Sequence, residues 1–93
     1  MGGGVNSSTT QKFEAKEEED LELIKSGLKV CILSEYGSTS LLEKKLSIGY
    51  MKASRLMDKL IELGYISKTT NAQQKRSVLV SEEEFEEIFG EPL

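Results

Sequence analysis

Ser47-Ile48-Gly49-Tyr50-Met51-Lys52-Ala53-Ser54-Arg55-Leu56-Met57-Asp58-Lys59-Leu60-Ile61-Glu62-Leu63-Gly64 is the stretch from which the rest of the chain is read. From Tyr50 onward it has helical spacing. Ala53, Leu56, Met57, Leu60, Ile61 and Leu63 recur at the three- and four-residue intervals of a buried stripe. The opposite face carries Met51, Lys52, Arg55, Asp58, Lys59 and Glu62, and Gly64 stands where a helix stop is expected. A short turn separates this helix from a smaller amphipathic run, Leu41 to Leu46. Two helices across a tight Gly-containing turn, the second longer and cationic at its start, predict a helix-turn-helix.

Upstream, Leu21, Ile24, Leu28, Cys31 and Ile32 repeat at helical spacing to about Ser34, behind the acids Glu17, Glu18, Glu19, Asp20 and Glu22. Acids suit the first turns of a helix because its macrodipole is positive there. Gly27 weakens this helix by about 1 kcal/mol relative to alanine, and its missing side chain leaves room for a close helix neighbour. Tyr36-Gly37 ends the run, and Ser38-Thr39 is a candidate edge strand. Ser40 and Glu43 form a capping-box pattern for the helix through Leu46.

Downstream, residues 65–68 and 77–80 read as two strands around a polar loop, a wing whose Ile66, Val78 and Val80 should pack on the helices. Ser81 to Glu84 repeats the capping-box pattern and opens a short acidic helix at about 81–89. Its Phe85, Ile88 and Phe89 are expected to cover the core in preference to a partner. Residues 1–16, polar and without period, read as a disordered leader. The expected fold is mostly α with a small β-hairpin: a winged helix-turn-helix over 17–93, with three core helices, a wing and an extra C-terminal helix.

Ninety-three residues suit one small domain with a limited core. With 38% hydrophobic and 30% charged residues, and no signal-peptide pattern, the chain reads as a soluble cytoplasmic segment. A longer parent would find any membrane anchor in other regions. The net charge of −4 conceals a strong segregation. Residues 1–37 hold four lysines and seven acids; residues 38–80 hold eight basic and three acidic residues; residues 81–93 hold six glutamates and no base. The middle segment therefore has the polarity of a phosphate-binding surface. A solvated surface with accidental clustering is the plain alternative.

An enzyme is not expected. The chain has no histidine, the usual general base and commonest metal ligand. Its single cysteine fits no zinc spacing and reads as a core thiol, and Gly2-Gly3-Gly4 lacks the Lys-Ser/Thr of a phosphate loop. No cofactor, metal or small-molecule substrate is expected.

Double-stranded DNA is the partner the pattern favours. The first turns of a recognition helix face base edges in the major groove, so Met51, Lys52 and Arg55 are the expected readers. Arg55 has the fork geometry for guanine O6 and N7. Asp58 either steadies that guanidinium or accepts from cytosine; an ordinary surface ion pair with Arg55 is equally compatible with the spacing. Lys44, Lys45, Lys59, Lys75 and Arg76 suit phosphate contacts, with solvated loop charges the alternative for Lys75 and Arg76. Tyr50 is expected to pack in the core.

These residues resemble a known family. Ser38-x-Ser40-Leu41-Leu42, Ile48-Gly49-Tyr50, Ala53-x-Arg55-Leu56-Met57-Asp58 and Arg76-x-Val78-Leu79 are similar to the gamma domain of FtsK/SpoIIIE-type DNA translocases, over roughly Asp20 to Val80. The resemblance implies a winged helix at the end of a chromosome-pumping motor. Such a module recognises short, G-rich, polarised octamers so that the hexameric motor loads in one direction, and it contacts a terminus recombinase. By the same resemblance Arg55 and Asp58 fall at base-reading and supporting positions, and Arg76 at a basic wing position. Where the family commonly has Asn then Arg after Ile-Gly-Tyr, this chain has Met51 and Lys52. A thioether lacks the amide's hydrogen bonds, so the preference at that step is expected to be relaxed or altered. Ser54 replaces a usual alanine, a harmless change. The 93 residues contain no nucleotide-binding motif. The competing readings are a stand-alone transcription regulator of the same fold, which would be a homodimer, and a winged helix used for protein contact through Phe85, Ile88 and Phe89 or the outer face of the 50–63 helix.

Overall fold

The computed structural model describes residues 21–93, and the expected leader and the acids Glu17 to Asp20 lie outside that range. Four helices follow one another: α1 over residues 21–34, α2 over Thr39–Leu46, α3 over Tyr50–Glu62 and α4 over Glu82–Phe89.

α1 turns Ile24, Leu28 and Cys31 inward and closes on a left-handed residue, Glu35, whose φ is 65°. Glu35 N–H donates to Ile32 O and Tyr36 N–H to Cys31 O, both at 3.2 Å, the paired bonds that satisfy the last carbonyls of a helix. The stop thus precedes the expected Tyr36-Gly37. α2 is capped by Ser38, not Ser40: Ser38 Oγ accepts from Leu41 N–H at 3.1 Å, so the helix starts ahead of the expected box. Ser38-Thr39 is therefore cap and first turn, and not an edge strand. Between α2 and α3 the left-handed residue is Ser47, with φ of 53°, while Gly49 has an ordinary φ of −72°.

α3 buries Ala53, Leu56, Met57 and Leu60; Ile61 is half-buried and Leu63 exposed, so the buried stripe is narrower than its spacing predicts. Gly64, with φ of 81°, ends it as expected. Gly64 N–H donates to Ile61 O and Tyr65 N–H to Leu60 O, each at 3.0 Å.

The expected β-hairpin is replaced by something smaller. Among the described residues there is no extended strand, only two antiparallel bridges, Ile66 with Val78 and Gly37 with Arg76. Ser67 N–H donates to Ser77 O at 2.9 Å and Leu79 N–H to Tyr65 O at 2.8 Å around the first bridge. The ladder stops there because its next groups are taken. Tyr65 N–H closes α3, and the Arg76 guanidinium donates to the carbonyls of Ser67 and Lys68. Gly37 and Arg76 exchange both backbone bonds at 2.8 Å, so the 76–79 arm lies between Gly37 and residues 65–67. The inward residues are those expected: Ile66 and Val80 are buried, and Val78 packs partly against the core.

One core unites these pieces: Ile24, Leu28, Cys31, Leu42, Ala53, Leu56, Met57, Leu60, Ile66, Val80 and Phe85. α4 carries the capping box expected at Ser81 and Glu84, with bonds of 3.1 and 3.0 Å. Its Phe85 is fully buried, against Phe89 at a ring-centroid distance of 4.8 Å, while Ile88 is exposed. α4 is thus part of the body.

Two outcomes follow. Phe85→Ala should cost about 3–5 kcal/mol of unfolding free energy, the range for emptying a buried aromatic site, read by urea denaturation. Burial pushes the Cys31 thiol up to about 12 from 9.0. The folded protein should therefore resist alkylation at neutral pH and react once urea unfolds it. Because the unfolded thiol ionises first, the stabilisation is whole below pH 9.0 and falls as pH rises towards 12, which a pH series of the same denaturation would show.

Candidate nucleic-acid interface

The core grips α3 along one side, and the side left over is the candidate surface. Met51, Lys52, Arg55, Asp58, Lys59 and Glu62 are all exposed, as their spacing predicts. Met51 and Tyr50 are 68% and 63% exposed, so Tyr50 stands outside the core in which it is expected to pack.

Charge along this face is sparsely compensated. Lys59 Nζ lies 3.8 Å from the Glu62 carboxylate, an exposed pair of small energetic weight. Among the described residues no ion pair within 4.0 Å joins Arg55 to Asp58. The start of α3 also differs from that of α4. Gly49 gives no side-chain cap and the first turn of α3 holds no acid, while α4 begins with three glutamates and a capping box. The positive end of the α3 dipole is thus left uncompensated by its own sequence.

Lys44 and Lys45 are exposed in the last turn of α2. Lys75 and Arg76 come from the loop after α3, and the structure gives them different work. Lys75 Nζ sits 4.5 Å from the centre of the Tyr36 ring, a cation–π contact that holds an exposed ammonium near the loop base. Arg76 is half-buried and its guanidinium clamps the opposite arm through the Ser67 and Lys68 carbonyls. The loop tip is organised by Asn71. Its Oδ1 accepts from Gln73 N–H at 2.9 Å and Lys75 N–H at 3.0 Å, and its carbonyl accepts from Gln74 N–H at 2.9 Å, with Gln74 left-handed at φ 61°. An asparagine opening a turn by accepting two residues on is a signal the sequence carries. The Tyr36–Lys75 contact, between residues far apart in the chain, has no such local signal.

Tyr50 and the loop share a cleft of about 470 Å³ with the start of α2, lined by Ser38, Ser40, Tyr50, Gln73, Lys75 and Arg76 among others. Of the expected site residues this cleft brings in Lys75 and Arg76, while α3 contributes only Tyr50 to it. One acid of the C-terminal segment is engaged on α1. Glu91 lies 3.1 Å from Lys25 of α1, which also meets Glu22 at 3.3 Å. Glu91, and after it Glu22, hold the Lys25 ammonium above its ordinary range. Among the described residues no three His, Cys, Asp or Glu side chains gather as a metal site, and no helix is long and apolar enough to cross a membrane.

Comparison with known proteins identifies the family. The profile of the FtsK gamma domain matches residues 17–81, ending at the cap of α4. The chain is 40% identical over 78 residues to the DNA translocase FtsK of Clostridium acetobutylicum, covering 84% of this chain and 10% of that protein. It is 39% identical over 83 residues to the DNA translocase FtsK of Corynebacterium glutamicum, covering 89% of this chain and 9% of the relative. Against the DNA translocase FtsK of Streptomyces coelicolor the identity is 36% over 88 residues, 92% of this chain and 10% of the relative. The chain thus spans about a tenth of the length of the curated relatives it matches. No solved structure gives a significant match. The matched segment runs through α1, α2, α3 and the bridged arms, and it places the chain in the FtsK gamma domain family.

Proposed function

We propose that this chain is a double-stranded DNA-binding module that orients a translocase on its track by reading short G-rich sequences. In this reading it is a winged helix: α3 enters the major groove, and the loop between the bridged arms is the wing, following the backbone. The observation that carries it is the outward face of α3, where Met51, Lys52, Arg55, Asp58 and Lys59 stand exposed while Ala53, Leu56, Met57 and Leu60 lock the other side.

The division of labour follows from side-chain chemistry. Arg55 forks onto the O6 and N7 of a guanine, and Asp58, one turn on, accepts from a cytosine amino group. Lys44, Lys45, Lys59 and Lys75 meet phosphates, adding affinity without sequence information. Arg76 acts chiefly through the carbonyls it clamps, shaping the loop that presents Lys75. The module carries no catalytic group; in a longer parent the ATP-driven movement would belong to a separate motor, and a terminus recombinase is a further partner.

The test is a titration with a G-rich octamer duplex and a scrambled one of equal composition. The G-rich duplex should bind more tightly, both affinities should fall steeply with salt, and amide shifts should gather at residues 50–59 and 75–76. Equal affinity for the two would remove the sequence-reading claim; no binding at low salt would remove the whole proposal. Arg55→Ala should erase roughly 1–3 kcal/mol of the discrimination between the duplexes. The double change Lys44→Ala, Lys45→Ala should instead weaken both alike and flatten the salt dependence.

A further inference from the structure

Met51 is the largest apolar side chain on the cationic face of α3, and nothing in the fold uses it. It is 68% exposed, in the first turn of the helix, and four residues before Arg55, hence on the same side of the rod. Lys52 beside it and Arg55 one turn on are exposed, with Asp58 and Lys59 a further turn along the helix. A polar or charged residue there would cost nothing in folding, since no described core residue depends on that side chain. An apolar group flanked by two cations suits a surface that is anionic overall and carries isolated methyl groups. The major groove of DNA is such a surface, because thymine alone among the four bases presents a C5-methyl there.

We infer that Met51 is a specificity residue that contacts the C5-methyl of a thymine, on either strand, next to the guanine engaged by Arg55. The inference rests on the DNA-binding reading above and adds to it a base and an atom. The thioether is unbranched and polarisable, so it can lie along a methyl without a fixed geometry. Four residues of helix advance about 6 Å and a base-pair step is about 3.4 Å, so the thymine and the guanine should fall within about two steps of each other.

The experiment is selection of bound duplexes from a pool with eight randomised base pairs, using the wild-type chain, Met51→Ala, Met51→Leu and Arg55→Ala. Wild type should enrich a thymine at one position within about two steps of a guanine whose enrichment disappears in Arg55→Ala. Met51→Ala should lose the thymine and keep the guanine, and Met51→Leu should keep both. Replacing that thymine by deoxyuridine, which deletes only the methyl, should weaken wild type about three- to fivefold, the scale of one buried methyl group, and leave Met51→Ala unmoved. Circular dichroism of each variant should match wild type, the side chain being exposed. Selection of guanine without any thymine overturns the inference and leaves the DNA reading standing. Sensitivity to deoxyuridine that persists in Met51→Ala overturns it in the same way. No enriched sequence at all overturns both.

Discussion

A missing side chain governs how deeply α3 is seated. A Cβ on Gly27 would lie 2.9 Å from Leu56 Cδ2 and 3.3 Å from its Cγ, so any larger residue there would require the Leu56 side chain to shift for α1 to stay this close to α3. The local helical cost of that glycine, about 1 kcal/mol, is offset by the contacts the approach permits among Leu28, Leu56 and Leu60, all buried. The rest of the arrangement depends on this seating. With α1 behind it and α2 beside it, α3 has one direction left to face, and its charged residues are those on that side.

Much of this is legible in the chain because it is local or periodic. The outward residues of α3, the Gly64 stop, the Ser81–Glu84 capping box and the room left by Gly27 each follow from spacing or from a single residue's chemistry. The family is legible from the motifs around Ile48-Gly49-Tyr50 and Arg55, and the profile match bears it out. The failures have one character: they concern competition between neighbours. Ser38 and Ser40 are both good caps, and the choice between them depends on where the chain leaves Gly37 for its bridge with Arg76. The expected hairpin is curtailed because Tyr65 N–H is claimed by α3 and the Ser67 carbonyl by a guanidinium. Tyr50 is a core residue by type, yet it faces outward between Ile48, which packs against the core, and the buried Ala53. The roles of the individual site residues are expectations for binding experiments to meet.

The acidic tail of the chain illustrates why net charge alone misleads. α4 begins where the family match ends, yet its Phe85 is as deeply buried as any residue of the core. Its glutamates support its own N-terminus, and beyond it Glu91 is drawn to Lys25 on α1. The hydrophobic side of α4 thus completes the body, while the ion pair ties the following residues to α1 and not to the cationic face of α3.

The end of α3 has a mechanical consequence. Only Leu63 and Gly64 separate the helix from Tyr65, whose N–H is bonded back to Leu60 and whose carbonyl already receives Leu79. There is no slack at this junction. Rod and loop therefore turn as one casting, like the two jaws of a gauge cut from a single blank, and any tilt of the rod carries the loop with it.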